Sequence, residues 1–169
     1  MRELRFLLPG TGPRFRCGGL SVELQTARLV AGLASTEVVT YRERQVDHPF
    51  LDDLLRAEPR GSVEAAAVLW VVSWGFDVPR LLRRLRGRAV AYHAHSSGYG
   101  FSLPAGVPVL AVSRNTLGYW GDRSPRSPLF LVPNALEPQW LQRGDRPRPN
   151  SATSDLRSLP VRRPIDVLV

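Results

Sequence analysis

Apolar and polar residues recur along the chain with two different periods. Residues 4–8 are mostly apolar and are followed by a Pro-Gly pair, which predicts a short buried strand. Leu, Ala and Val then recur at intervals of three and four over residues 20–34, which predicts an amphipathic helix of about four turns. Residues 36–41 contain β-branched side chains and predict a second strand.

The middle of the chain predicts two helices with a strand between them. A helix is predicted over residues 49–57, with a proline in its first turn. Residues 65–74 are apolar enough to predict a strand buried on both faces, and a helix over residues 62–72 is the competing interpretation. The leucine spacing over residues 77–87 predicts the next helix, which ends at a glycine.

The remaining pattern completes an alternation of strands and helices. Strands are predicted at residues 89–95, 107–112 and 129–132, and Ser113 is placed to cap a short helix over residues 114–119. Because hairpin signals are few, we predict an α/β fold with a parallel sheet and helices on both faces.

Composition and charge narrow the class of protein. The 169 residues are 43% hydrophobic and 22% charged, which is typical of a globular domain. No apolar run reaches the roughly 18 residues that a membrane-spanning helix needs, and no signal peptide is apparent. Cys17 is the only cysteine, which excludes an intramolecular disulfide and a Cys-rich zinc site. All 23 basic residues are Arg and the net charge is +8, a bias better explained by GC-rich coding than by nucleic-acid binding.

The C-terminal segment differs from the rest. We expect a Rossmann-like α/β domain over residues 1–141, followed by an irregular Arg- and Pro-rich linker over residues 142–164. Residues 165–169 have strand character and are expected to begin a missing second domain or to add to an edge of the sheet.

A glycine-containing loop is the first candidate site. Residues 10–19 follow a predicted strand and precede a helix, where an α/β sheet offers free amides to anions. Gly18 and Gly19 allow a ligand to approach the backbone closely. The dinucleotide fingerprint fits poorly, because Phe15 stands at the third glycine position.

Two strand ends supply further candidates. His93 and His95 are two residues apart at the end of a predicted strand, so they share a face and can hydrogen-bond a substrate. A metal site is not expected, since no third ligand has a clear spacing to them. Ser73, Trp74 and Phe76 follow another strand, and the two rings are able to stack on a ligand or to belong to the core.

The order of these segments resembles the N-terminal half of a retaining glycosyltransferase with the two-domain GT-B fold, in the group 1 (family 4) class. The resemblance extends from residue 4 to Pro138 and rests on order and spacing rather than on one motif. The matching segments are the strand, glycine loop and long helix at the N-terminus, Ser73-Trp74-Gly75, the strand that ends in histidine at His93, Val112-Ser113-Arg114, and Leu131-Val132-Pro133-Asn134.

The resemblance implies roles for individual residues. His93 matches a histidine that contacts the transferred sugar, so we expect it to be catalytic, with His95 as the alternative. Gly18 and Gly19 match the loop that approaches the donor diphosphate or the acceptor. We expect substrate contacts from Gly18, Gly19, Ser73, Trp74, His95, Ser96 and Ser113.

In this class a second domain holds the nucleotide-sugar and a pair of glutamates, and no Glu follows Glu137 here. We therefore expect a truncated acceptor-binding half of a glycosyltransferase, weakly active or inactive alone. The expected donor is a nucleotide-sugar, with no cofactor or metal. The expected partners are a sugar acceptor of unknown type and a second GT-B domain.

Two other interpretations stay open. One is a nucleotide-binding Rossmann module without transferase activity. The other is a basic adaptor that binds membrane lipid or nucleic acid through its Arg-rich helix face, residues 80–88, and the Arg-rich C-terminal segment. The expected location is cytoplasmic, with peripheral contact at the inner face of the membrane, and nucleic acid is not an expected partner.

Overall fold

The computed structural model describes residues 3–15, 17–43, 55–57 and 68–134. These residues form an α/β fold around one seven-stranded sheet in which every neighbouring pair of strands is parallel. The strands are β1 (Glu3–Leu8), β2 (Thr36–Thr40), β3 (Leu55–Ala57), β4 (Val68–Val72), β5 (Ala89–Ala94), β6 (Val109–Ala111) and β7 (Leu129–Leu131). The α-helices are α1 (Gly18–Ala31), α2 (Val78–Arg84) and α3 (Arg114–Arg123).

The strand order is β3-β2-β1-β4-β5-β6-β7. The chain therefore winds outward from β1 to β3, returns to β4 on the other side of β1, and winds outward again. This order is typical of Rossmann-like folds, and the winding reverses between β1 and β4. The predicted parallel α/β sheet is confirmed, and ligands of such sheets bind beyond the carboxyl ends of the strands near that reversal.

One predicted element is wrong where the structure describes it. We expected a helix over residues 49–57, but residues 55–57 form β3, which pairs with Val38–Thr40 of β2. Leu, Arg and Ala favour helices, so hydrogen bonding to the edge of the sheet outweighs their local preference here. The rest of that segment lies outside the described residues, as do the predicted linker at residues 142–164 and the predicted strand at residues 165–169.

The competing interpretations of residues 62–74 are resolved over their described part. Residues 68–72 form β4, which lies between β1 and β5, so the strand prediction is confirmed there and the alternative helix is wrong. Val68, Trp70, Val71 and Val72 are all buried, as expected for a strand covered on both faces.

Each face of the sheet has its own apolar cluster, because successive side chains of a strand point to opposite faces. On one face, α1 packs its buried Leu and Ala residues onto the sheet; this cluster contains Phe6, Leu8, Phe15, Leu20, Leu24, Ala27, Val38 and Val71. The other cluster contains Leu7, Val39, Trp70, Val72 and Tyr92 together with Val78 and Leu81 of α2 and Trp120 of α3. The helices thus cover both faces.

Local capping fixes where the helices begin. Helix α1 begins at Gly18, two residues before the predicted start, and the Cys17 sulfur accepts a hydrogen bond from the Leu20 amide at 3.5 Å. Helix α3 begins after Ser113, whose Oγ accepts from the Thr116 amide at 3.1 Å, and this confirms the predicted cap. It ends at Arg123, later than predicted.

Helix α2 has the predicted inward leucine face and outward arginine face. Leu81 is buried, whereas Arg80 and Arg83 are exposed. None of the helices in the described ranges is long and apolar enough to cross a membrane.

Candidate functional site

The predicted site residues follow strands that are neighbours in the sheet. Gly18 and Gly19 follow β1, Ser73 and Trp74 follow β4, and His95 follows β5. Since β1, β4 and β5 are adjacent and parallel, these residues lie at the same carboxyl edge. Ser113 follows β6, the next strand along that edge.

A buried carboxylate joins α1 to the end of β5. Glu23 lies on α1 and has no exposed surface, and its Oε2 lies 2.5 Å from Nδ1 of His93 and 2.8 Å from Nε2 of His95. The two imidazole rings have centroids 4.3 Å apart. Both histidines therefore face α1, as their two-residue spacing on a strand predicts.

Neighbouring residues explain why this contact forms. Tyr92 and Ala94 belong to the cluster on the opposite face, so the alternation of β5 directs His93 towards α1. A Cβ at Gly19 would lie 3.5 Å from Cβ of His95, so the first turn of α1 passes directly beside that histidine. Gly19, at the start of α1, therefore lies beside His95.

The histidines stabilise the charged form of the carboxylate. Burial alone would raise the pKa of Glu23, but hydrogen bonds from His93 and His95, with their positive charge when protonated, hold the pKa below its ordinary value. Two polar atoms of this cluster, Oε1 of Glu23 and Nε2 of His93, are buried without a hydrogen-bond partner in the described part of the chain.

The two histidines differ in access to solvent. The His93 side chain retains only 3% of its exposed surface, whereas that of His95 retains 13%. His95 is therefore the better placed of the two to touch a ligand directly. His93 is more deeply buried and is placed to hold the Glu23 carboxylate in position.

A row of aromatic rings connects three loops of the same edge. Phe15, in the 3-10 helix Pro13–Phe15 before α1, packs against Trp74 with ring centroids 6.0 Å apart. Phe76 lies 5.9 Å from Trp74 and 5.6 Å from Tyr99, which follows β5. Phe76 is 78% exposed, so it presents an apolar surface to solvent at this edge.

Gly75 is needed for the close packing of this row. A Cβ at Gly75 would lie 2.1 Å from Cζ of Tyr99, closer than atoms in contact can approach. The Tyr99 ring therefore lies directly over the backbone of the loop that carries Trp74 and Phe76.

An acidic side chain fills the first part of the glycine loop. The Glu43 carboxylate accepts hydrogen bonds from the amides of Thr11 and Gly12 at 2.8 and 2.9 Å, and lies 3.5 Å from Nε of Arg14. A Cβ at Gly10 or Gly12 would collide with this carboxylate. The amides of a loop that could hold an external anion are thus already bound to an internal one.

The predicted serines have varied surroundings. Ser96 is exposed, and its hydroxyl lies 3.2 Å from that of Tyr99 while its carbonyl accepts from the Trp120 indole. Ser73 is half-buried. The Ser113 hydroxyl caps α3 by accepting a hydrogen bond from the Thr116 amide. Its expected contact with a substrate stays a prediction.

The sequence pattern does not predict the contacts of Glu23, Glu43 and Asp77. It places Glu23 on the polar side of the first helix with Gln25 and Arg28, and this expectation is wrong because Glu23 is fully buried. The Asp77 carboxylate accepts from the Tyr41 hydroxyl at 2.7 Å and pairs with Arg42 at 2.6 Å, which ties the end of β2 to the start of α2. Burial and the Asp77 hydrogen bond raise the pKa of Tyr41, so it remains a neutral donor. A signal for Glu23 did exist: it stands three residues after Leu20 and four before Ala27, within the buried stripe of α1.

Comparison of the chain with protein-family models, curated proteins and solved structures finds no match.

Proposed function

We propose that this domain binds a sugar at the carboxyl edge of its sheet, as the acceptor-side domain of a glycosyltransferase. The observation that carries the proposal is the meeting of α1 with the end of β5, where Glu23 orients two histidines beside Gly19. The mostly buried His95 side chain lies in that cluster and keeps some exposed surface, and exposed aromatic surface is available on the adjacent loop after β4.

The chemistry of this edge suits a carbohydrate. A sugar carries hydroxyl groups around its rim and C–H groups on its ring faces. It therefore calls for a few oriented polar groups together with an apolar surface. Glu23 fixes the ring of His95, and Phe76 stands between Trp74 and Tyr99 as a stacking surface.

A dinucleotide is a poorer ligand for the same edge. The amides of Thr11 and Gly12 already bind Glu43, whose negative charge would repel a pyrophosphate there. This contact favours the sugar-binding proposal over a general nucleotide-binding module. In the class that the sequence resembles, a separate domain holds the nucleotide-sugar. We therefore expect the described domain to bind the acceptor rather than the donor.

Saturation-transfer difference NMR on the full chain tests the proposal. The probes are glucose, mannose, galactose, UDP-glucose and NAD, each with wild type and with Phe76→Ala and His95→Ala. We expect transfer to the protons of at least one sugar, and a roughly fivefold weaker affinity in Phe76→Ala, as loss of an aromatic contact costs about 1 kcal/mol.

Phe130→Ala is the matched control, because Phe130 is also exposed but lies on β7. It should bind as wild type does. Absence of transfer to any sugar ring, or transfer to NAD alone, would overturn the proposal. Efficient turnover of UDP-glucose by the chain alone would contradict the acceptor-side assignment.

A further inference from the structure

The Glu23–His93–His95 cluster has the composition of a transition-metal site. Each residue offers one ligand atom, and the three atoms lie within 4.8 Å of one another. Two imidazole nitrogens and one carboxylate oxygen are a ligand set that suits Zn²⁺ and similar divalent ions. Local sequence pattern does not predict this cluster, since Glu23 stands 70 residues before His93.

An unused oxygen of the carboxylate is a second, independent observation. Glu23 is fully buried, yet its Oε1 has no hydrogen-bond donor among the described residues. Native proteins rarely leave buried polar atoms without a partner, and an ion is one of the partners that explains such atoms. A cation also compensates the charge of a carboxylate that has been removed from water.

The distances are compatible with coordination after a small adjustment. Zinc–ligand bonds of about 2.0–2.1 Å in tetrahedral geometry place ligand atoms roughly 3.3 Å apart. The carboxylate oxygen now lies 2.5 and 2.8 Å from the two ring nitrogens, the spacing of hydrogen bonds. Each of these two pairs would open by less than about 1 Å. The ion would take the place of the proton on Nδ1 of His93 and on Nε2 of His95, and each neutral ring would then carry its proton on its other nitrogen, while a doubly protonated ring would release one proton to solvent.

We propose that Glu23, His93 and His95 bind one divalent transition-metal ion, of the class of Zn²⁺. Three protein ligands leave the fourth coordination position open for water or for a hydroxyl of a bound molecule, as in catalytic zinc sites. The 13% exposed His95 side chain marks the side from which an ion enters. This inference does not rest on the proposed sugar binding, because the metal is measured without any sugar.

The test uses full-length chain that has been stripped of metal with a chelator. Zn²⁺ is titrated in competition with a chromophoric chelator, and Co²⁺ is titrated separately while its visible absorption reports the coordination geometry. We expect one ion per chain and the intense absorption of four-coordinate Co²⁺. Mg²⁺, which prefers oxygen ligands in octahedral geometry, should not displace it.

Three variants make the result decisive. Glu23→Gln and His95→Gln should each weaken Zn²⁺ binding by more than about 100-fold, since even the outer-shell partners of metal ligands are worth roughly 10–100-fold. Asp122→Asn, an exposed acid on α3, should bind as wild type does. His95 is only partly buried, so its variant decides the matter if Glu23→Gln does not fold.

The proposal is overturned if the wild type binds Zn²⁺ no more tightly than His95→Gln, or if binding survives both substitutions, which would place the ion elsewhere in the chain. Circular dichroism of each variant establishes that the fold is intact. The metal titration does not depend on the sugar-binding experiment, so either proposal can fail while the other stands. Phe76→Ala is measured for sugar binding only.

Discussion

Truncation of the buried carboxylate tests whether the cluster stabilises the fold. In Glu23→Ala, the ring N–H groups of His93 and His95 lose their acceptor inside the protein. A hydrogen bond to a charged group contributes about 1.5–3 kcal/mol to the free energy of unfolding, so loss of two removes about 3–6 kcal/mol. Part of this loss is offset, because the variant no longer buries a charged carboxylate. We expect a net loss of about 3–5 kcal/mol, as for other broken buried pairs.

That loss is large relative to the total stability of a domain, which is typically about 5–15 kcal/mol. Urea unfolding followed by circular dichroism, in the presence of a chelator, measures it without any contribution from bound metal. Glu23→Gln keeps the shape and one acceptor oxygen, so it should lose less, about 1–3 kcal/mol.

Leu29→Ala is the control, because Leu29 lies on the same helix and is 38% exposed. Its loss should stay below about 1 kcal/mol. If Glu23→Ala unfolds at the same urea concentration as Leu29→Ala, the cluster does not contribute to stability and the reasoning is refuted.

Three further substitutions test the surroundings of the site. Gly75→Ala displaces the Tyr99 ring, so we expect a loss of about 1–3 kcal/mol and an altered near-UV circular dichroism spectrum; an unchanged spectrum would contradict the packing. Ser113→Ala removes the cap on the Thr116 amide and should lower the free energy of unfolding by about 1 kcal/mol, whereas Ser113→Asn should retain most of it. Trp120→Ala leaves a cavity where a fully buried indole packs and should cost about 3–5 kcal/mol in urea unfolding; a smaller loss than Ser113→Ala would be inconsistent with that burial.

Local sequence pattern accounts for most of the described fold. Three sequence signals are strong: the apolar stripe of α1, the apolar run of β4 and the Ser113 cap. The elements that these three signals predict are all present. The three residues of β3 carry no such signal, because a short edge strand is defined by its pairing with β2 rather than by its own composition. A parallel sheet was predictable from the alternation of elements, whereas its strand order was not.

The candidate site was predictable only in part. His93 and His95 could be placed at a strand end, and the glycines at the start of a helix, because those positions depend on local pattern alone. Glu23 could not be paired with them, since a glutamate on a helix is usually exposed and its partners are some 70 residues away. The acceptor role of Glu43 was not predictable either, because it depends on how the segment after β2 folds back towards the loop after β1.

The central position of β1 has a consequence for synthesis of the protein. Glu3 of β1 is paired with Val68 of β4, so the ribosome must add about 65 residues before that neighbour exists. At about 5–20 residues per second, the delay is roughly 3–13 s. During this interval the Phe6, Leu7 and Leu8 side chains, buried in the finished sheet, lack part of their covering. We expect residues 3–8 to need protection by chaperones until β4 has been synthesised.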